Sequence, residues 1–379
     1  MPVTDILFVT KPLVPPWIDS GKLLPYLLVK NLPDFRIAVM IPKGKPLDFP
    51  NVVNEEIYSK GSSFSVPYAE KVRVMARLLT RSTPSILHFF FSPNGPTSMA
   101  ARLVKKTHKG VSVVQTVMSL PEHQGALVDG IFADRVIVWS RYAAARVSEI
   151  VLSRGLDSKV IHVPPGIEPL EPIVGDDRKH LRTTFGLPPD AKIVLYAGDL
   201  EFSSGAVVTA ETIRILKDRM RGVFVFACRP KTPASKKVLA EIEASLSSEV
   251  QSGRVRFMGQ VSNFRDLVRC ADVQVLPVET TYAKTDIPLV ILEGLSAGIP
   301  AVVGTGTPMD ELVDAGAAIG VVPRCPEALA DCLLNLLMPN GSAMVLAETG
   351  RRYVLANHSV EVMARAHARI YQELTRMMY

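Results

Sequence analysis

At 379 residues the chain exceeds one ordinary core, and two domains of roughly 100–200 residues each are expected. With 47% hydrophobic and 21% charged residues it is a compact folded protein, which excludes a disordered or fibrous one. The net charge of +6 lies in residues 1–170 and the remainder is close to neutral, which points to an anionic acceptor or membrane surface on the N-terminal side, against ordinary solvated lysines as the bland alternative.

Asp5 to Val9 reads as a first buried strand, followed by the long loop Lys11 to Lys22. Asp19 and Ser20 can cap the helix over Leu23 to Val29, and Gly21 permits close backbone approach. With Lys22 beside it, this helix start is a candidate anion site, a simple capped turn being the plainer reading. Phe35 to Ile41 and Val52 to Tyr58 continue the strands, Tyr68 to Leu79 is an amphipathic helix, and Ile86 to Phe91 is an apolar strand holding His88. A lone histidine in such a run is more often a core residue than a ligand. Val111 to Val117 and Asp134 to Ser140 read as strands, the latter leading into a helix over Arg141 to Leu152.

Glu168 to Asp177, rich in Pro and Gly, reads as an interdomain linker. The second half opens with a helix over Arg178 to Phe185 and strands at Ile193 to Ala197, Val223 to Phe226 and Arg254 to Met258. The stretch Ala271 to Glu311 then gives strand, polar loop, helix and strand. Pro288 is expected at the first helical position, Leu289, Leu292 and Leu295 form the buried stripe, and Gly298 and Pro300 end the helix. Helices follow over Glu327 to Leu337 and Met344 to Leu355, and a long terminal helix runs to Met377. The alternation predicts two doubly wound α/β domains. No GxGxxG follows the first strand of either half and there is no P-loop.

Glu293-Gly294-Leu295-Ser296-Ala297-Gly298-Ile299-Pro300 resembles the Glu-Ala-x-x-x-Gly-x-Pro run of glycosyltransferase family 4, retaining enzymes of the GT-B fold that use nucleotide-sugars. Asp134 to Ser140 is similar to the family's Ala-Asp-x-Val-x-x-x-Ser strand, and Val160 to Ile167 to its Val-Ile-Pro-Asn-Gly-Val strand end. The resemblance implies a divergent member: two Rossmann-like domains facing a cleft, an acceptor-side domain over 1–168, a nucleotide-sugar domain over 169–355, and a terminal helix over 356–379 crossing back. It implies Glu293 at the donor ribose, with Thr285 where the family has its sugar-reading glutamate and Asp286 beside it, these three being the catalytic set. Donor contacts are expected from Gly21, Lys22, Gly198, Arg229, Lys231, Gly259, Val261, Lys284, Ile287 and Leu289, and acceptor-side contacts from Asp19, His88 and Ser119. An exposed salt bridge is the plain alternative for Lys284 and Asp286.

The sequence also departs from the family. Asp199 and Ser204 stand where an arginine and a lysine neutralise the departing diphosphate, and Met118 replaces a histidine. Thr307-Pro308 replace a glycine pair, leaving the hydroxyls of Thr305 and Thr307 as expected hydrogen-bond donors. Arg229, Lys231 and Lys284 are the expected replacement cations.

The expected activity is metal-independent hexosyl transfer from a nucleotide-diphospho-sugar to a glycan, lipid-linked or small-molecule acceptor, as in polysaccharide biosynthesis, with no cofactor. The alternative is a non-catalytic GT-B protein binding a nucleotide-sugar or glycan; an epimerase or phosphorylase of the same fold is a third reading. No basic–aromatic interleaving suggests nucleic acid. No apolar run approaches the roughly 18 residues of a membrane span and no signal-peptide layout is present, so a cytoplasmic protein, or one touching a membrane peripherally, is expected. Cys228, Cys270, Cys325 and Cys332 form no CxxC pair and are expected to be isolated buried thiols.

Overall fold

The computed structural model describes residues 5–377 except 60–65, 81–83, 92, 94, 109, 122, 123, 231, 283 and 339–341, and the side chains of 96, 97 and 124. The chain forms two compact units. Unit 1 contains Met1–Gly166, Tyr282–Asp286 and Ser359–Tyr379, and unit 2 contains Ile167–Thr281 and Ile287–His358.

Unit 1 is built on strands β1 (Asp5–Val9), β2 (Arg36–Pro42), β3 (Val52–Tyr58), β4 (Ile86–Phe90), β5 (Ser112–Val117), β6 (Arg135–Val138) and β7 (Lys159–His162). They pair in the order β3-β2-β1-β4-β5-β6-β7, every pair parallel. Both faces of such a sheet are covered, which is why β1 and β4 read as continuous apolar runs rather than alternating ones. One face of the sheet carries the terminal helix Val360–Arg376. Tyr371 packs against Phe8 and Phe35, and Arg135 Nη2 lies 3.0 Å from Glu373 Oε1.

Unit 2 repeats the plan with β8 (Ile193–Tyr196), β9 (Val223–Phe226), β10 (Val255–Phe257), β11 (Val273–Leu276), β12 (Ala301–Gly304) and β13 (Ile319–Val321), ordered β10-β9-β8-β11-β12-β13 and again parallel throughout. An aspartate precedes one strand of each unit, β6 in unit 1 and β11 in unit 2, and ties down a neighbour. Asp134 accepts from Val113 N at 2.7 Å, and Asp272 accepts from Ile193 N at 2.7 Å. Asp272 also holds Arg182, itself buried, at 2.8 Å.

The strand order reverses between β8 and β11, so the loops leaving these two strands part company there. Such a switch point at the carboxyl ends of the strands is where open α/β sheets bind ligands. The segment expected as a linker is partly helical: the helix Gly175–Thr184 starts inside it. Gly175 enters it with φ 60°, and Asp176 and Asp177 complement the dipole of its first turn.

Candidate functional site

In unit 2 the loop after β8 runs from Ala197 to Ser204 and feeds the helix Gly205–Ile215. Gly198 is required by packing, since a Cβ there would lie 2.5 Å from the Tyr196 hydroxyl, which donates to the Asp199 carbonyl at 2.7 Å. The loop's backbone N–H groups converge on two carboxylates. Asp199 Oδ1 accepts from Glu201 N at 3.1 Å, Phe202 N at 2.5 Å and Ser203 N at 3.1 Å, while Oδ2 accepts from the Ser203 hydroxyl at 2.8 Å. Glu279, three residues past the end of β11, accepts from Ser204 N at 3.0 Å and from its hydroxyl at 2.8 Å. Arg324, in the left-handed region at φ 59°, donates to Glu279 at 3.0 Å. Burial alone would raise the Glu279 pKa, but hydrogen bonds from its own backbone, Ser204 and Arg324 outweigh it and hold the carboxyl below its ordinary value.

The helix Leu289–Ser296 lies beyond the same switch point. Pro288 is its cap, at φ −63° and ψ 127°, and not its first helical residue as expected. An extended ψ at this proline turns the chain out of the loop before the helix begins. Glu293 on this helix keeps only 14% of its side chain exposed, and Arg265 Nε is 3.8 Å from its Oε1. Burial pushes its carboxyl up to about 7, Arg265 opposing the shift only in part. Arg265 is also engaged elsewhere, donating to the Glu168 carbonyl at 2.6 Å. Gly294 has a packing cause: a Cβ there would fall on the side-chain amide of Gln274, which donates to the Ile291 carbonyl at 2.9 Å.

Among the other expected donor residues, Arg229 and Val261 are half-buried on the loops after β9 and β10, and Gly259 has φ 59°. Ile287 and Leu289 are buried at the helix start. Lys231 lies outside the described residues. After β12, Thr305 and Thr307 are not the outward donors expected. The Thr307 hydroxyl donates to the Gly304 carbonyl at 3.0 Å and the Thr305 hydroxyl to the Val321 carbonyl at 3.2 Å. Gly306 N, in turn, donates to Asp310 at 3.0 Å.

Thr285 and Asp286 are buried and group with unit 1, whereas Glu293 belongs to unit 2. Asp286 Oδ2 accepts from the Ser140 hydroxyl at 2.6 Å, and its N–H donates to the Met118 carbonyl at 3.1 Å. Ser140 caps the helix Arg141–Ser153, accepting from Ala143 N at 2.9 Å. Lys284 is half-buried in the same loop.

Elsewhere in unit 1, Asp19 caps the helix Ser20–Lys30 through Gly21 N at 2.8 Å and pairs with Lys11 at 2.9 Å. The candidate anion site at this helix start is therefore already supplied with a carboxylate. Lys22 is buried, which pulls its ammonium below the ordinary value. His88 is corrected from an acceptor-side residue to a core one. It is fully buried, Nδ1 is 2.6 Å from the Tyr371 hydroxyl, Nε2 is 2.7 Å from Thr116 Oγ1, and the ring stacks on Phe90 at 3.9 Å. It joins the sheet to the terminal helix. Ser119 is buried beside Met118.

Glu279, Arg324, Arg265 and Asp310 escaped the sequence reading. Glu279 alone carried a signal, as a carboxylate just past the strand at the switch point. Among the described residues no three His, Cys, Asp or Glu side chains cluster as metal ligands, and no helix is long and apolar enough to cross a membrane. All four cysteines are free; Cys228 and Cys270 are buried, while Cys325 and Cys332 are only half-buried.

Residues 191–338, which hold this entire switch point, match the family model described as Glycosyl transferases group 1. The fold is GT-B. A D-inositol 3-phosphate glycosyltransferase of Xylanimonas cellulosilytica is 27% identical over 270 residues, covering 68% of this chain and 62% of that protein. TuaC of Bacillus subtilis, a glycosyltransferase whose assignment to teichuronic acid biosynthesis is provisional, is 28% identical over 47% of this chain and 41% of its own length. The chain thus spans less than two thirds of either curated relative. Among solved structures, Anabaena Alr3699/HepE in complex with UDP and glucose superposes with a TM-score of 0.75 at 14% identity, over 97% of this chain and 99% of that one.

Proposed function

We propose that the protein is a retaining, metal-independent glycosyltransferase of family 4 that takes a hexose from a nucleotide-diphospho-sugar. The observation that carries this reading is Glu293, a largely buried carboxylate on the helix that follows β11 at the unit 2 switch point, with Arg265 Nε 3.8 Å away. Support also comes from the match of residues 191–338 to the group 1 model and from a fold neighbour that binds UDP and glucose.

Glu293 accepts the donor ribose hydroxyls, and Gly259 and Val261 lie against the nucleobase. Gly198, Arg229 and Lys231 serve the phosphates. In the transfer the anomeric carbon–oxygen bond to the diphosphate breaks and a bond to the acceptor oxygen forms on the same face. The acceptor proton passes to the departing phosphate oxygen, so no protein base is required. The acceptor is a glycan, lipid-linked or small molecule met by the basic N-terminal half, in the cytoplasm or at a membrane surface, as in polysaccharide biosynthesis.

One observation favours a second reading, a non-catalytic GT-B protein. Asp199 stands on the loop where the family places its phosphate-binding cations, and Glu279 reaches Ser204 of that loop from the loop after β11. Calorimetric titration with UDP, GDP, ADP and TDP, repeated with Glu293→Ala, separates the two. Saturable binding of one nucleotide, weakened by about 1–3 kcal/mol in the variant, supports the donor site. A folded protein that binds none of the four refutes it.

A further inference from the structure

The helices Tyr68–Thr80 and Gly95–Thr107 flank β4 in the chain and touch one another in unit 1. Their inner residues Val74, Leu78, Ala101 and Val104 share one core cluster with Leu87 and Phe89 of that strand. A surface helix needs one apolar stripe for this purpose, with polar residues on its other side. Helix Tyr68–Thr80 carries a second stripe. Tyr68, Val72 and Leu79 recur at i, i+4 and i+11 and are exposed, Tyr68 to 82%, with Met75 half-buried between them. On the neighbouring helix Met99 and Leu103 repeat the arrangement one turn apart, Met99 being 72% exposed. Scattered apolar side chains on a surface need no explanation, but stripes on two adjoining helices form a patch.

The charge beside this patch has one sign. The two helices hold six lysines and arginines and a single acid, Glu70, which is buried and pairs with Arg73 at 2.8 Å. Arg77 is neutralised by Glu55 at 3.1 Å, and Lys105 by Asp134 at 2.6 Å. Lys71, Arg102 and Lys106 are exposed, and none has a carboxylate partner among the described residues; Arg102 donates only to the Asp129 and Ile131 carbonyls. Helical spacing sets Arg102 and Lys106 on the same side as Met99 and Leu103.

We propose that this face of unit 1 docks on an anionic lipid surface, its apolar stripes entering the acyl boundary and its cations meeting the headgroups. The proposal deepens the reading above, on which it rests, by choosing the membrane over the cytoplasm. Lysines set among exposed apolar residues suit lipid better than a protein partner. Their stems bury while the ammonium groups reach phosphate, whereas the centre of a protein interface is depleted of lysine. The N-terminal half also holds the chain's excess positive charge, which an anionic leaflet attracts.

The test is sedimentation of the full chain with vesicles of phosphatidylcholine alone, and of phosphatidylcholine and phosphatidylglycerol in equal parts, at physiological ionic strength. Three double variants are compared: Lys71→Gln with Lys106→Gln, Met99→Ser with Leu103→Ser, and Lys236→Gln with Lys237→Gln. The last removes the same charge from an exposed helix surface of unit 2. Every substituted side chain is exposed, and circular dichroism and melting establish that each variant is folded.

The parent should bind the mixed vesicles at least about tenfold tighter than phosphatidylcholine. Losing Lys71 and Lys106 should weaken that binding about twentyfold, near fivefold per charge, and the serine pair should weaken it at least about tenfold. The unit 2 pair should change it by less than about twofold. A folded parent that sediments with neither vesicle, or equally with both, overturns the proposal. So does binding that the lysine or serine pair retains, or that the unit 2 pair weakens as much. A dimer abolished by the serine pair, with no vesicle binding, gives the face to a second copy instead. No nucleotide enters the experiment, so vesicle binding by a protein that binds no nucleotide refutes the donor site and leaves this proposal standing, and nucleotide binding without vesicle binding does the reverse.

Discussion

Replacing Glu293 with glutamine should stabilise unit 2 at alkaline pH while weakening any nucleotide that binds there. An ordinary glutamate titrates near 4.5, and burial moves Glu293 to about 7 with Arg265 only 3.8 Å away to oppose it. The folded state therefore holds this proton more tightly than the unfolded chain. Stability from that proton is complete below about pH 4.5 and is lost as pH rises through about 7. A shift of that size corresponds to about 3 kcal/mol at pH 8, each pKa unit contributing 1.36 kcal/mol. Glutamine keeps the shape and never ionises. At pH 8 the variant should therefore unfold later in urea by about 3 kcal/mol, or melt roughly 6–12 °C higher. At pH 4.5 the difference should shrink to a few tenths of a kcal/mol. Equal shifts at the two pH values, or a destabilised variant at pH 8, would refute the assignment of a desolvated carboxylate. Loss of nucleotide affinity in the same variant gives the second half of the signature: a group that costs stability and is kept for binding.

Three further outcomes follow from packing and titration. Asp272→Ala removes the carboxylate paired with the buried Arg182, leaving it only backbone carbonyls, and strips the Ile193 N–H of its acceptor; it should cost about 3–5 kcal/mol in urea unfolding, whereas Asp272→Asn retains an acceptor for Ile193 and should cost less. His367 is buried with its pKa pulled down to about 4, so the unfolded chain binds a proton first as pH falls; stability present above about pH 6.5 should be lost progressively toward pH 4, by about 3 kcal/mol, and hydrogen exchange in the helix Val360–Arg376 should rise in that window and flatten in His367→Leu. Gly294→Ala drives a Cβ into the Gln274 amide and should destabilise by about 1–3 kcal/mol, with much of the loss restored in the Gln274→Ala background.

Where the sequence was informative, the cause is periodic burial. A largely apolar run such as Ile86 to Phe90 fits a strand covered on both faces, and the stripe Leu289, Leu292, Leu295 fits a buried helix face, as observed. Boundaries that depend on a single dihedral were less legible. The extended ψ of Pro288 and the positive φ of Gly175 each moved a helix start by one or more residues. Partnerships across long sequence separations were not legible at all. Nothing in composition or spacing joins Asp286 to Ser140, Glu279 to Ser204, or His88 to Tyr371, because each is made by the sheet order and not by the local chain.

The contacts made by the loops at the strand ends form a pattern of their own. Three loops at the C-terminal ends of strands each present N–H groups to a carboxylate of the chain itself: Gly21 to Asp19, residues 201–204 to Asp199 and Glu279, and Gly306 to Asp310. Glu293 stands in contrast on the next helix, where it is desolvated and only distantly paired. One carboxylate is thus held at a cost beside loops whose other carboxylates are fully engaged. That division singles out Glu293 as the carboxylate of unit 2 whose replacement by glutamine should change both stability and nucleotide affinity.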